Sequence, residues 1–419
     1  MGISFSLSEE QAQLREGARL FAENILSKVE AAIAPYGTPE ERFNQLKPFY
    51  QDMVDAGFVN ALVPESDGGT GMSSLSFALA CEELARVDVN VPSAILGTGL
   101  SLQPIIHFGT PEQKKRFFSP FLSGQPALGA LAFTESAGGA NYASPEPGAG
   151  AQTIATRDGN EWVINGKKSY TTNGTGWNRE GVELMTVLCR TSADLPPDES
   201  LAVIIIEKGT PGVETVGIID TMGHRAVISP QIVFNNVRVP IDNMIGVPGQ
   251  GQEIMETTFS WTGALIGAAC VGRMRAAFDA AYAFAKAEKR SGPVPIIDYQ
   301  NVGYMLADIK MKIEAARYLA WKAADQYDKT GGRDRELANI SKVFNSELSV
   351  QAVYDAMRLI GVDAYSDLSP IPAIMQDVLC FPIYDGGNMG VRRRQMHEMM
   401  RNTNYDPVAV AAGLNSIHD

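Results

Sequence analysis

The chain has 419 residues, 45% of them hydrophobic and 20% charged, a balance that supplies sizeable cores and excludes a disordered or low-complexity polymer. Its formal net charge of −13 sets it against nucleic acid and anionic membrane surfaces as main partners, since their phosphate fields repel it. At roughly 150 residues per domain, the length implies two or three domains.

In chain order, Met1 to Gln13 shows no basic stretch followed by an apolar run, and no segment reaches the roughly 18 apolar residues of a membrane span. A cytoplasmic location is the expectation. Ser8 with Gln11 reads as a capping box, and Leu14, Ala18, Phe21 and Ile25 follow at helical spacing. Pro64 to Gly71 is a turn-rich interruption. Ser74 to Val87 returns to helical period, and Thr110-Pro111-Glu112-Gln113 is a helix start with proline in the first turn. Residues 1–128 therefore read as an α-helical domain.

From Gly129 to Gly251 the pattern changes to short β-type runs. Asp158-Gly159 reads as the turn of a hairpin between Thr153–Thr156 and Trp162–Ile164, and Asn165-Gly166 as a second turn with a short strand after it. Leu184–Cys189, Ala202–Ile206 and Ile232–Val239 are further strands. Residues 129–251 form the expected central β domain. Long helices return over 252–419, with Met274–Ala287 and Val302–Gln326 carrying apolar residues on one face. Helices, then strands, then a helical bundle is an α+β order, not the alternating order of a doubly wound sheet, and neither a dinucleotide-binding GxGxxG nor a P-loop is present. The cysteines (Cys81, Cys189, Cys270, Cys380) have no CxxC pairing and read as small core residues. The histidines (His107, His224, His397, His418) have no ligand spacing, so no metal is expected.

Three segments carry candidate chemistry. Leu131 to Asn141 ends a strand in small residues, with Phe133, Thr134, Gly138 and Gly139 able to bring backbone N–H groups and a hydroxyl against a flat polar ligand; an ordinary surface loop is an equal reading. Asn165 to Gly174 sets Tyr170 beside hydroxyls, as a ring that stacks on a ligand or simply as an exposed tyrosine. Phe381 to Arg394 delivers one acid, Asp385, into Gly386-Gly387 ahead of a helix. Flanked by Ile383 and Tyr384, that carboxylate would be partly desolvated and so a stronger base, and Arg392, two helical turns on, could orient it. The residues alone also allow Asp385 to be a helix cap and the arginines a solvated face.

In this order, Pro64-Glu65 with Gly68-Gly69, Phe133-Thr134-Glu135, Asn165-Gly166 to Asn173-Gly174, Phe234 to Pro240 and Ile383-Tyr384-Asp385-Gly386 resemble the acyl-CoA dehydrogenase superfamily over nearly the whole chain. That resemblance implies an N-terminal helical domain, a central β domain and a C-terminal four-helix bundle. It also implies bound FAD, with Leu131, Phe133, Thr134, Gly139, Asn141, Tyr170 and Thr172 lining the flavin, together with Gly386 and Gly387. Arg290, Gln300 and Arg358 would reach the adenosine diphosphate half, some from a neighbouring subunit of a homotetramer.

The departures point to a branch. Asp385 stands where many members have a glutamate base. Phe259 to Leu265 holds no rival carboxylate, and an arginine common near Leu265 is missing. The run Asp377 to Met396 resembles the flavoprotein nitroalkane oxidases, where Thr262 takes the place of a serine that touches the base. This branch implies oxidation of neutral nitroalkanes to aldehydes or ketones with release of nitrite and hydrogen peroxide, dioxygen serving as oxidant. Asp385 would remove the α-proton and Arg392 would orient it. The alternatives are an acyl-CoA dehydrogenase that uses Asp385 and an electron-transfer flavoprotein, a flavin-binding protein without catalysis, and a reduced-flavin monooxygenase, which has no need of Asp385.

Overall fold

The computed structural model describes residues 6–146 and 149–417; His418 lies outside them. The first helix, Glu9–Asn24, starts on the expected capping box: Ser8 Oγ accepts from Gln11 N at 3.1 Å and Gln11 Oε1 accepts from Ser8 N at 2.9 Å. Pro111–Phe118 starts the same way on Thr110 and Gln113. Ser74–Val87 and Asn90–Phe108 are the core helices of this part, and the second carries almost no charge because it is buried along most of its length.

The central sheet has eight strands among the described residues: β1 (Gly129–Ala132), β2 (Ile154–Asp158), β3 (Glu161–Lys168), β4 (Leu184–Arg190), β5 (Leu201–Glu207), β6 (Val213–Ile218), β7 (Pro230–Pro240) and β8 (Met244–Ile245). The order is β6-β7-β3-β2-β4-β5-β8, with β1 added parallel to β4. β4 and β5 are buried almost throughout and read as continuous apolar runs. β6 was not legible in the sequence: it lies at the edge of the sheet, mostly half-buried, and its Val-Glu-Thr-Val-Gly-Ile run has no strong apolar face.

Two turn expectations are corrected. Asp158 pairs with Glu161, so the hairpin loop is Gly159-Asn160, with the left-handed φ of +62° falling on Gly159. Asn165-Gly166 is not a turn with a strand after it. It lies inside β3, at a register shift against β7, and residues 169–173 are loop. The glycine is there because a Cβ at 166 would come within 2.5 Å of Thr153 Oγ1.

The C-terminal part is built on Gly251–Ala287, Gln300–Thr330 and Glu336–Ile360, packed against one another and against Ser74–Val87. The first of these begins well before Met274. Its N-terminal half is buried on every side, which erases the amphipathic period that marks a surface helix. At 37 residues it spans roughly 55 Å. Cys81, Cys189 and Cys270 are buried, Cys380 is half-buried, and all four are free thiols.

Candidate active site

Asp385 sits where three elements of the bundle meet. The short helix Ile371–Cys380 ends ahead of it, and residues 384–386 turn sharply, with φ of +52° at Asp385 and +66° at Gly386. An aspartate held in the left-handed region costs on the order of 1 kcal/mol and persists where its surroundings fix it. Here they do. Arg392 donates from Nη2 to Asp385 Oδ2 at 2.9 Å, and from Nε and Nη2 to the Asp385 carbonyl at 3.2 and 3.0 Å. Thr262, on the long helix, donates to Asp385 Oδ1 at 2.8 Å. Each carboxylate oxygen thus has one protein donor and one lone pair to spare. The Asp385 and Arg392 side chains are 5% and 1% exposed.

Arg392 does not meet Asp385 across two turns of a shared helix face. Asp385 lies outside the helix, residues 388–392 form a single π turn, and the guanidinium folds back over Gly386. π turns recur where a side chain must be re-aimed at a site. A Cβ at Gly386 would approach Arg392 Nε at 3.3 Å, and one at Gly387 would approach the Ile383 carbonyl at 2.9 Å, so the turn itself accounts for both glycines. The guanidinium is anchored on its other sides too: Nη2, shared among three acceptors, reaches the Phe259 carbonyl at 2.9 Å, and Nη1 reaches Asn339 Oδ1 at 3.1 Å. Burial pulls this guanidinium below its usual range, and Asp385 opposes the fall.

Next to the base is a tight crevice of about 10 Å³, lined by Cys81, Ser93, Leu96, Ile266, Phe381 and Tyr384. Tyr384 precedes Asp385 in the chain and Ile266 is one turn beyond Thr262, so this mostly apolar crevice lies close to the carboxylate.

The second constellation lies at the end of β1. Leu131 and Phe133 are buried, Thr134 and Gly139 half-buried, and Asn141 exposed. Ser169 N donates to the Thr134 carbonyl at 2.7 Å, which joins the Tyr170–Thr172 loop to this segment. Asn173 Nδ2 staples the same loop to the carbonyls of Ala94 and Gly129 at 2.8 and 3.1 Å. Tyr170 is 57% exposed at a φ of +56°, and Thr172 is half-buried. Thr171 Oγ1 is buried with no protein partner. A Cβ at Gly139 would stand 2.8 Å from the Phe133 ring, so the loop is closely packed against that ring. Hydroxyls, a presented aromatic ring and an unpaired buried hydroxyl along one edge fit a flat ligand with a polar rim, as FAD has.

Glu135 belongs to the scaffold. It accepts from Lys168 Nζ at 2.8 Å, Gln152 N at 2.6 Å, and Thr153 N and Oγ1 at 2.9 and 2.7 Å. These donors hold its carboxyl below the usual range although burial pushes the other way, and Lys168, fully buried, is drawn below the usual lysine range by desolvation. Lys168→Met should leave the Glu135 charge without its cation, a loss of about 3–5 kcal/mol. The expected result is a melting temperature lower by several degrees and weaker flavin retention, read by thermal melting and by the flavin-to-protein absorbance ratio.

Arg290, Gln300 and Arg358 are not near Asp385 in this chain. Arg290 bonds the Ile360 carbonyl and pairs with Asp363, Arg358 faces Asp355, and Gln300 bonds Tyr304. All three gather at the far end of the bundle, roughly 40 Å along the helix from Thr262. Four residues of the site went unseen in the sequence: Phe259 and Asn339, which hold Arg392, and Lys342 and Asn388, which pair with each other behind Tyr384.

Three family models match in series: acyl-CoA dehydrogenase N-terminal domain over residues 8–125, middle domain over 130–237 and C-terminal domain over 249–400. The chain belongs to the acyl-CoA dehydrogenase family, and it is a flavin-dependent oxidoreductase that uses FAD. Within that family it is similar to nitroalkane oxidase of Fusarium oxysporum, at 33% identity over 99% of both chains. It is also similar to nitroalkane oxidase of Podospora anserina, at 37% identity over 97% of this chain and 98% of the other. An active-site mutant of nitroalkane oxidase crystallised with 1-nitrooctane superimposes with a TM-score of 0.93 and 33% identity, over 98% of this chain and all of that one.

Proposed function

We propose that this protein oxidises neutral nitroalkanes to aldehydes or ketones, with Asp385 as the base that removes the α-proton. The observation that carries the reading is one carboxylate, its side chain buried, held at both oxygens by Thr262 and Arg392. A nitro group makes the neighbouring C–H acidic enough for a carboxylate to take the proton. Asp385 receives it on a lone pair left free by its two donors. Arg392 aims the carboxylate and offsets its charge, which a neutral substrate cannot do. Bound FAD would supply the two-electron acceptor for the pair that the departing proton leaves on the carbon. Over the full reaction one nitroalkane, one dioxygen and one water give one carbonyl compound, one nitrous acid and one hydrogen peroxide.

Thr262 positions the base. Thr262→Val keeps the shape and removes the donor to Oδ1, so kcat/KM for nitroethane should fall about tenfold, while Thr262→Ser should stay close to the parent. Steady-state kinetics on the three proteins reads both.

The FAD-lining residues proposed are Leu131, Phe133, Thr134, Gly139, Asn141, Tyr170 and Thr172, joined by Thr171. Arg290, Gln300 and Arg358 would serve the adenosine diphosphate of a neighbouring subunit. Their distance from Asp385 within one chain supports this, and so does the exposed apolar surface around them, including Val362, Tyr365 and Leu368 at 78%, 83% and 98% exposure. The assembly proposed is a homotetramer, testable by light scattering. A cytoplasmic location is also proposed; among the described residues no helix is long and apolar enough to cross a membrane.

The test is anaerobic nitroethane added to the yellow protein. Bleaching of the flavin, then nitrite and peroxide on admission of air, supports the reading. No bleaching with nitroethane but bleaching with butyryl-CoA overturns it in favour of an acyl-CoA dehydrogenase that uses Asp385.

A further inference from the structure

Behind the base lies a lysine that the reaction above does not use. Lys342, on the helix Glu336–Ile360, is completely buried. Its Nζ donates to Asn388 Oδ1 at 3.0 Å and stands 5.9 Å from the centre of the Tyr384 ring. Asn388 is itself fixed from every side. Its Nδ2 donates to Ser346 Oγ at 2.9 Å and Glu347 Oε1 at 3.0 Å, and its backbone N–H donates to the Pro382 carbonyl at 2.8 Å. Asn388 closes the turn Tyr384-Asp385-Gly386-Gly387, and Lys342 is the charged group that holds it closed.

A buried ammonium is costly, and one with a single neutral acceptor is more so. An apolar residue would pack this position without that cost. Among the described residues no carboxylate lies within ion-pair distance of Lys342, so a structural ion pair does not explain it; its hydrogen-bond partner is the Asn388 amide. The groups that face it are Asp385 and Tyr384 on the turn, Arg392 on the π turn, Cys270 on the helix Gly251–Ala287 and Cys380 at the end of Ile371–Cys380, with Glu347 reached only through Asn388. Of these, Asp385 is the anion whose charge the proposed reaction cancels.

We propose that Lys342 is a positioning residue for Asp385: through Asn388 it holds the turn that presents the carboxylate, and its charge acts on the proton transfer that the carboxylate makes. This rests on Asp385 being the base. Desolvation, with Arg392 adding to it, lowers Lys342 to about 7, so its charge changes in the working range. The sign is fixed by electrostatics. Below that pH a positive charge faces the carboxylate and opposes the arrival of the proton. Above it the lysine is neutral and that opposition is gone, so kcat/KM should rise by a further step of about threefold near neutrality.

Two variants separate the two roles. Lys342→Gln keeps a donor for Asn388 and removes the charge; Lys342→Met removes both. Both should lose the step near neutrality in the pH profile of kcat/KM for nitroethane. The Met variant should also fall about tenfold at all pH values as the turn loosens. If Lys342→Met does not fold, Lys342→Gln carries the kinetic test alone. A second measurement needs no substrate. In protein labelled with 13C at the lysine ε-carbon, one resonance should titrate near neutrality and vanish in Lys342→Gln. In Asp385→Asn its midpoint should drop by about a unit, because the anion that supports the charge is gone. An unchanged midpoint in Asp385→Asn, or a pH profile of Lys342→Gln that superimposes on the parent, overturns the proposal. A protein that ignores nitroethane but shows the shifted midpoint loses its assigned substrate and keeps the Lys342–Asp385 coupling.

Discussion

Asp385→Asn is expected to lower kcat/KM for nitroethane about a thousandfold while the protein remains folded and yellow. The amide has nearly the shape of the carboxylate, and the surroundings can accept it. Its oxygen can face Arg392 and take the bond that now runs at 2.9 Å to Oδ2. Its Nδ2 would then face Thr262. That hydroxyl also lies 3.2 Å from the Phe259 carbonyl, so it can donate there and accept from the amide. The hydrogen bonds keep their partners, but Arg392, its side chain 1% exposed, loses its counter-ion, so the variant should fold with a melting temperature several degrees lower. The catalytic loss is much larger, because an amide takes up no proton at working pH. Rapid-mixing measurement of flavin bleaching isolates the step. A variant that bleaches at near the parent rate would remove Asp385 from the reaction, whatever its place in the site.

How much of this was legible in the sequence depends on how local each feature is. The capping box at Ser8 and the proline-marked helix start at Thr110 are written in four residues each and fold as read, the second also closing a capping box. Asp385 and Arg392 could be singled out as a lone acid after an apolar run, followed by glycines and arginines, but a helix cap with a solvated face reads the same locally, and only the resemblance across the whole chain favoured a base. Their geometry was harder: the meeting goes through a turn and a π helix, which no seven-residue spacing encodes. The supporting shell was harder still, because its members come from distant stretches. Asn339, Lys342, Ser346 and Ser349 form a buried polar stripe on one face of the helix Glu336–Ile360, at the spacing that ordinarily carries apolar residues. Read alone, that stripe is a solvated face. Only the packing of Gly251–Ala287 against it shows that it turns inward. Polar side chains on a face that tertiary contacts bury were the signal available, and they mark where the core is organised around a site.

Arg392→Lys should have the second large effect, and it separates charge from geometry. A lysine keeps the positive charge. It cannot keep the four partners, because its three donors radiate from one atom and guanidinium donors fan across a plane. Arg392 now spans Asp385 Oδ2, the Asp385 carbonyl, the Phe259 carbonyl and Asn339 Oδ1 at 2.9–3.2 Å, with its side chain 1% exposed. An ammonium reaching Oδ2 would leave two or more of the others without a donor. Each such buried acceptor costs about 1–3 kcal/mol, so the melting temperature should fall by several degrees. The turn at Asp385 loses the bonds that hold it in the left-handed region, and the carboxylate becomes free to swing. A misaimed base costs on the order of a hundredfold in kcat/KM even with the charge intact. If charge alone mattered, the Lys variant would keep most of the activity and Arg392→Gln would lose it; if geometry dominates, both fall together. Comparing the two variants by kcat/KM and by the primary deuterium isotope effect on deuterated nitroethane decides between them, because a loosened base makes C–H cleavage more fully rate-limiting and raises the observed effect toward its intrinsic value.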